Sequence, residues 1–426
     1  MTMQTRRGPV IPRRAETAVT DALADTRVIL VNGARQCGKS TLVRLVSKGR
    51  EAEWRDLDVA LTRQAALNDP DGFVDSPSLM VVDEIQRAPE LLLAIKAQVD
   101  ADGRPGRYLL TGSARILGLR ALPDTLVGRM ETVELWPFSQ GEIDGTPDAF
   151  IDAVFTHRDT LRHTTTVPRA DYAERIVRGG FPEAVARNTD KRRRTFFDSY
   201  VGDLITRDIR QLSEIERTSE MRALLQLVGA RSGQLLANTS LSNDLALGAS
   251  TVKRYLTLLE EVYLIKRIPA WSRNLSNRAT MIPKVALIDS GIASNLVGAD
   301  VRNMLRPNGR FGPLLEGFVL MELARQRTWS AEDVEMYHYR TKDGVEVDAV
   351  LENRRGEVVG IEVKAASTVG PDDFRHLRHL AERLGDDFLT GIVLHTGQQT
   401  LPFGPKMLAM PVSALWEVPN PERQSD

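Results

Sequence analysis

The sequence predicts an α/β protein. A parallel sheet with helices on both faces comes first, then a helical and winged-helix region, then a C-terminal mixed α/β domain. Three observations predict this. A glycine-rich loop sits between a buried strand and a helix near residues 28–46. Apolar β-branched runs alternate with helical stretches up to about residue 145 and then stop. Strand signals return after residue 281. With 426 residues, two to four domains are expected, and the boundaries fall at 1–145, 146–230, 231–280 and 281–426.

The first strand is Val28-Ile-Leu-Val31, and it runs into Gly33-Ala34-Arg35-Gln36-Cys37-Gly38-Lys39-Ser40-Thr41. This nonapeptide fits G-x-x-x-x-G-K-[ST] at every fixed position, and Leu42, Leu45 and Val46 mark the helix behind it. The two glycines let backbone N–H groups turn inward onto phosphate oxygens, and the helix N-terminus adds partial positive charge. Lys39 is the expected contact to the β- and γ-phosphates, and Ser40 the expected hydroxyl on Mg²⁺. Leu79-Met-Val-Val82 is a second buried strand and ends in Asp83-Glu84. A carboxylate at a strand end beside the phosphate loop can hold Mg²⁺ through water, and its neighbour can polarise an attacking water. Asp83 is therefore the metal candidate and Glu84 the base. A third strand, Arg107-Tyr-Leu-Leu110, ends in Thr111-Gly-Ser113, polar groups expected between those two motifs. A fourth, Glu131 to Leu135, stops at Trp136-Pro137. No N-K-x-D guanine motif occurs, so ATP is favoured over GTP.

This order of motifs, completed by Leu126-Val-Gly128-Arg129 before the last strand, resembles the AAA+ ATPases. The resemblance implies a sensor role for Thr111. It also implies an arginine-finger role for Arg129 on a neighbouring subunit, and hence a homo-oligomer. From the residues alone, Arg129 can equally act within its own chain or pair with a surface carboxylate.

Beyond residue 150 the sequence reads as helical to about 230, with a turn at Gly179-Gly-Phe-Pro182. The basic run Lys191-Arg-Arg-Arg194 is either a solvated helix face or a phosphate contact. Leu241 to Leu247 reads as a short helix, Gly248-Ala-Ser250 as a turn and cap, and Thr251 to Glu261 as a longer helix with Val252, Tyr255, Leu256 and Leu259 on its apolar stripe. Thr251, Lys253 and Arg254 fall near the open face. Two helices with polar residues early in the second form the helix-turn-helix pattern for the DNA major groove, and Tyr263 to Ile268 adds a candidate wing. DNA contact is thus expected over residues 250–268 and in the C-terminal domain. A structural hairpin or a protein-binding winged helix is the alternative.

In the last segment Lys284 to Asp289 is strand-like, a helix begins near Leu314, and Glu346-Val-Asp348 to Leu351 and Val358 to Lys364 form two strands joined by a turn at 353–356. Another helix spans Asp372 to Leu384. A carboxylate on a helix (Glu316), one on a strand (Asp348) and Glu362-x-Lys364 on the next strand resemble the PD-(D/E)xK pattern of restriction-endonuclease-like folds. The 14-residue gap between Asp348 and Glu362 suits a hairpin. The resemblance implies Mg²⁺ held by Glu316, Asp348 and Glu362, with Lys364 orienting water. Val347 stands where the motif usually has proline. The chain as a whole resembles a bacterial and archaeal family that joins an AAA+ module to a C-terminal domain of unknown function 4143. The turn at 179–182, Asp289-Ser-Gly291 and Leu315-Glu316 carry that likeness. Cys37 stands where the family more often has an apolar residue. It reads as a small side chain packed under the loop, with thiol oxidation as the alternative.

Composition sets the outer limits. Lys plus Arg number 56 against 57 Asp plus Glu, which argues against a protein that coats polyanions wholesale. The single cysteine excludes a disulfide framework and fits a reducing cytoplasm. No apolar run is long enough to span a bilayer, and the first residues lack a secretory h-region, so a cytoplasmic protein without a membrane is expected. His376 and His379 lie one turn apart with no third ligand in view. Three functional readings stand: an ATP-driven enzyme that cuts DNA, an ATP-gated DNA-binding regulator, and a nucleotide-switched protein-interaction module.

Overall fold

The computed structural model describes residues 4–5, 8–113, 126–158, 160–209, 218–274, 276, 278 and 281–419. They form two units. One comprises residues 1–138 with 261–263, the other residues 139–260 with 264–426.

The first unit is built on five parallel strands: β1 (Val28–Gly33), β2 (Ala52–Asp56), β3 (Leu79–Asp83), β4 (Tyr108–Gly112) and β5 (Met130–Leu135). Their spatial order is β2-β3-β4-β1-β5. The three central strands are buried along their whole length, as continuous apolar runs in a sheet covered on both faces should be. The edge strands β2 and β5 are only partly buried. Alternate residues of the central strands, among them Leu30, Val82 and Leu110, pack with Leu91, Ile95 and Val99 of helix α4 (Leu91–Ala101). Helices α1 (Ala15–Asp25) and α2 (Lys39–Val46) pack against the same sheet. Helix α3 (Ala60–Asn68) follows β2; neither β2 nor α3 was placed by the sequence patterns. Since β4 lies between β1 and β3, the Thr111 strand end comes between the loop and Asp83, as its sequence suggested.

The second unit opens with helices, among them α5 (Arg169–Arg178), α6 (Asp190–Asp203) and α7 (Thr218–Ala230). Next come β6 (Gln234–Leu235), α8 (Asn238–Leu245), α9 (Ala249–Glu261), β7 (Ile265–Ile268) and β8 (Lys284–Leu287). The three strands make an antiparallel sheet in the order β6-β8-β7. On α9, Val252, Tyr255, Leu256 and Leu259 are buried, while Ser250, Lys253 and Arg254 are exposed and Thr257 half-buried. The apolar stripe falls where its 3.6-residue spacing put it.

Helix α10 (Ser290–Leu296) leads to α11 (Phe311–Gln326), which is buried on nearly every side. A helix apolar all round belongs in a core. The C-terminal sheet contains β9 (Val334–Arg340), β10 (Glu346–Asn353), β11 (Val358–Lys364), β12 (Phe388–His395), β13 (Leu401–Pro402) and β14 (Met407–Pro411). Its order is β9-β10-β11-β12-β14-β13, with β11, β12 and β14 parallel and the other pairs antiparallel. Helix α12 (Arg375–Leu384) crosses from β11 to β12 and buries Leu377, Leu380 and Leu384 against the sheet. The segment after β7 joins this sheet too, through a parallel bridge between Ala270 and His338.

Candidate functional site

The nucleotide-type site is assembled at the C-terminal ends of β1, β3 and β4. Gly33 closes β1, and a Cβ there would lie 2.0 Å from the Leu135 carbonyl oxygen, so only glycine lets the loop leave between β1 and β5. Gln36 and Gly38 both take left-handed backbone angles (φ 61° and 103°), which curl the loop onto α2. The first N–H groups of α2 have no partner inside the helix and are available to an anion. Lys39 is buried and its ammonium turns back onto its own loop, donating to the carbonyls of Gly33 (3.1 Å) and Ala34 (2.9 Å). Ser40 donates to Asp83 Oδ1 at 3.0 Å, and Thr111 donates to that same oxygen. Thr111 Oγ1 also accepts from the Glu84 amide at 2.9 Å. The structure therefore brings Lys39, Ser40, Asp83, Glu84 and Thr111 into one constellation. Of the remaining loop residues, Ala34 and Cys37 are buried, Arg35 and Gly38 half-buried, and Gln36 and Thr41 exposed.

Glu84 sits at φ 58°, ψ 48°, a left-handed conformation that non-glycine residues seldom adopt and that recurs at functional sites. Its carboxylate accepts from Ser113 Oγ at 2.8 Å and from the Gln86 amide, which also donates to Ser113 at 2.7 Å. Gln86 was not singled out in the sequence, although a polar residue two positions past the paired acids was the available signal. Arg13 was missed as well. Its guanidinium is buried and bonds the carbonyls of Cys37 (2.7 Å) and Trp136 (2.6 Å), pinning the loop from outside the motif. Cys37 is wholly buried, its thiol faces the Leu135 carbonyl at 3.3 Å, and burial raises its pKa. This is the packing role, and such a thiol is unreactive.

Arg129 lies elsewhere. It precedes β5, and Met130 pairs with Val28 while Gly33 pairs with Leu135. Six residues at about 3.3 Å each set the Arg129 backbone about 20 Å from the loop, where the side chain pairs with Asp100. The reading in which it reaches its own chain's phosphates is therefore corrected: the two sit at opposite ends of the sheet.

A second charged centre lies in the other unit. The antiparallel register of β10 and β11, with Ala349 opposite Ile361, extends to bring Asp348 opposite Glu362, and α11 supplies Glu316. The hairpin expected from the spacing thus forms. The structure adds a residue that the sequence reading had placed only in a strand. Lys284, 1% exposed, sends its ammonium among these acids, 2.7 Å from Glu316, 2.9 Å from Asp348 and 3.1 Å from Glu346. Asp348 Oδ2 accepts from the Val363 amide at 2.9 Å. Glu362 is buried, with Lys364 at 3.7 Å and His376 at 3.8 Å, and its Oε1 has no hydrogen-bond partner. Burial tends to lower the Lys284 pKa, but the charges of Asp348 and Glu316 outweigh it and hold the ammonium above its ordinary value. Burial, then the Asp348 charge, pushes Glu316 up to about 8, and the same two causes raise Glu362. Among the described residues, no group of three or more His, Cys, Asp or Glu side chains is arranged to hold a metal ion. In place of the expected Mg²⁺ ligands, Glu316 and Asp348 are ion-paired to a lysine.

His338 is buried near this centre. One ring nitrogen bonds the Ile282 carbonyl at 3.0 Å, and Nδ1 has no partner. Burial first, and the Lys284 charge second, push its pKa down to about 4. Elsewhere, the Gly-Gly-Phe-Pro turn and the Asp-Ser-Gly step prove to be one contact. Buried Asp289 accepts from the amides of Gly180 (2.7 Å) and Ile292 (3.0 Å). Gly179 has φ 67°, and a Cβ there would lie 2.4 Å from Asp289 Oδ1. In the basic run, Arg193 pairs with Asp190 within α6 at 2.8 Å.

Comparison with known proteins identifies three segments. An AAA domain matches residues 25–144, a domain of unknown function (DUF8612) residues 169–303, and a domain of unknown function (DUF4143) residues 311–415. Uncharacterized proteins of Mycobacterium tuberculosis and Mycobacterium bovis are each 29% identical over 409 residues, covering 95% of this chain and 84% of theirs. An uncharacterized protein of Haemophilus influenzae is 20% identical over 319 residues, covering 73% and 72%. Among solved structures, a Walker-type ATPase of Pyrococcus abyssi is 15% identical with a TM-score of 0.41, covering 67% of this chain and 96% of that one. A signal-transduction ATPase with numerous domains from Pyrococcus horikoshii is 11% identical with a TM-score of 0.27, covering 76% and 48%. The chain contains an AAA domain and a DUF4143 domain. No described helix is long and apolar enough to cross a membrane.

Proposed function

We propose that the AAA domain binds ATP with Mg²⁺ and hydrolyses it, and that the other unit engages DNA in a nucleotide-gated manner without cutting it. The observation that carries the ATPase reading is the convergence of Lys39, Ser40, Asp83, Glu84 and Thr111 at adjoining strand ends. The donor set fits the ion: a hydroxyl and a carboxylate already in contact suit a hard divalent cation that keeps most of its waters. Such an ion, when bound, neutralises charge developing on the phosphates.

Lys39 needs only to leave the Gly33 and Ala34 carbonyls to reach phosphate oxygens above the loop. Loop glycines and the first α2 amides complete the cradle, with Arg35, Gln36, Cys37 and Thr41 contributing backbone. Ser40 and Asp83 would hold the ion, with Asp83 acting through water. Glu84 is the base, and Gln86 and Ser113 orient its carboxylate. Thr111 bonds the Asp83 carboxylate and the Glu84 amide, and its role is to sense the γ-phosphate. Arg129, remote from its own loop, serves a neighbouring copy if the protein assembles.

The variants Lys39→Ala and Glu84→Gln test this reading. The first loses binding of a fluorescent ATP analogue. The second binds normally while turnover falls by about 10²–10⁴, the span of general-base catalysis. Wild-type turnover in Glu84→Gln would refute the base assignment.

The DNA reading rests on element order. Helix, strand, helix, helix and two strands, in the sheet order β6-β8-β7, support the winged-helix reading, and α9 leaves Ser250, Lys253 and Arg254 open. Binding without cutting is preferred to cleavage because the acids available for a metal are engaged by Lys284. A gel-shift assay with and without a non-hydrolysable ATP analogue, scored also for strand scission in Mg²⁺, separates the readings. Nucleotide-dependent, salt-sensitive binding of intact DNA is expected. Absence of binding in every nucleotide state would leave the protein-interaction reading in its place.

A further inference from the structure

The C-terminal acids invite a divalent ion, yet their geometry is that of an ammonium site. Mg²⁺ requires oxygens at about 2.0–2.1 Å in an octahedron, and Ca²⁺ at about 2.3–2.6 Å. Here the carboxylates of Glu316, Glu346 and Asp348 surround Lys284 Nζ at 2.7–3.1 Å. An ammonium has three N–H donors, and three acids are present to receive them. Two of the oxygens facing away are also in use. Asp348 Oδ2 takes the Val363 amide, and Glu346 Oε2 takes Arg340 at 2.8 Å. Glu362, the remaining acid, lies beside Asp348, with Lys364 at 3.7 Å and His376 at 3.8 Å.

Lys284 cannot easily swing aside. It sits on the central strand of its sheet, paired on one side with Ile268 and on the other with Leu235. Register on both flanks fixes its backbone, and the buried stem leads the ammonium into the acids.

We infer that Lys284 is a resident cation standing where a divalent ion would be held, so that this centre is an ion-pair latch joining strand β8 to β10 and α11 and takes up no metal. One side chain thereby closes the centre to metal-assisted phosphodiester chemistry. A latch of this kind fixes register more than it adds stability, since desolvating the charges opposes their attraction. Glu362 Oε1, which has no hydrogen-bond partner and lies 3.8 Å from His376 Nδ1, is the oxygen that an incoming ion would use once the lysine is gone.

The test uses the nucleotide-free full-length chain and Mn²⁺ as probe, counting bound ions by the loss of the free Mn²⁺ paramagnetic signal. Wild type and Asp348→Asn should bind the same number of ions. Lys284→Met should bind one more per chain and melt at higher temperature when Mn²⁺ is added. Lys284→Met with Asp348→Asn should lose that extra ion. Lys284→Gln, which keeps hydrogen-bonding capacity, serves as the second variant and should behave as Lys284→Met does. An ion bound by wild type and lost in Asp348→Asn overturns the inference. So does the absence of an extra ion in folded Lys284→Met or Lys284→Gln. Should neither variant fold, the comparison of wild type with Asp348→Asn decides alone: equal uptake upholds the inference and unequal uptake ends it.

Discussion

His338 gives this protein a calculable sensitivity to acid. The ring is 1% exposed, one nitrogen bonds the Ile282 carbonyl, and the other faces no partner. Protonation would bury a second positive charge near Lys284, and the folded pKa is pushed down to about 4 from an ordinary 6.5. A group depressed on folding contributes its full stability above its unfolded pKa and loses it as pH falls toward the folded one. At 1.36 kcal/mol per pH unit, the whole interval is worth about 3 kcal/mol, of which about 2.4 kcal/mol disappears between pH 7 and pH 4.5. His338→Gln removes the titration while keeping an amide N–H for the Ile282 carbonyl. Urea unfolding of both proteins at pH 7, 6, 5 and 4.5 isolates the effect from titrating carboxylates, which the two share. The wild-type advantage should shrink by about 2 kcal/mol across that range. Parallel stability curves would show that His338 is not held neutral and would refute the reasoning.

Three other outcomes follow from the same geometry. Gly33→Ala places a methyl 2.0 Å from a backbone oxygen that cannot rotate away; ATP-analogue affinity should fall more than about tenfold, with about 1–3 kcal/mol of overpacking visible in thermal denaturation. Asp289→Ala strips the buried Gly180 and Ile292 amides of their acceptor and removes the α10 cap; about 2–4 kcal/mol of stability should be lost in urea titrations. If α9 lies on DNA, Lys253→Ala and Arg254→Ala should each lower the slope of log affinity against log salt by about one, as measured by anisotropy at several salt concentrations. Unchanged slopes would move the contact surface off this helix.

The loop and its partners were legible because local sequence dictates them. A fixed glycine spacing, a paired acid at a strand end and a threonine at the next strand end each report their position in a parallel sheet. The same holds for the stripe on α9 and for the β10–β11 hairpin, where period and spacing suffice. Strand β2 escaped because, at the sheet edge and half-buried, Ala52–Asp56 lacks an apolar run. Arg13 and Lys284 escaped for a different reason. Each acts on residues far away in the chain, and a lone basic residue beside a strand or helix looks like any solvated charge until tertiary packing buries it. Arg129 shows the converse limit: a Gly-Arg step before a strand names a motif, but only sheet register says which end of the sheet it occupies.

The segment Lys284-Val-Ala-Leu-Ile-Asp289 ties these points together. Its apolar middle is what made it readable as a strand, and its polar ends carry the consequences. At one end Lys284 enters the acidic centre; at the other Asp289 takes the amides of Gly180 and Ile292, and between them the Ile288 carbonyl accepts from buried Arg325 at 2.9 Å. Arg325 pairs in turn with buried Glu322, which accepts the Gln140 amide at 3.0 Å. Buried polar groups of this kind are tolerated only when partnered, so each anchor constrains the element it reaches: the turn at 179–182, helix α11 and the C-terminal sheet. A strand pinned at both ends and paired on both edges cannot slide without breaking several charge-assisted bonds at once. Its neighbour β7 pairs with it from Lys284–Ile268 through Leu287–Ile265, so the two strands are held in one register. Relaxing the Lys284 centre by Lys284→Met should then alter hydrogen exchange in β7 and β8 as well as around Asp348.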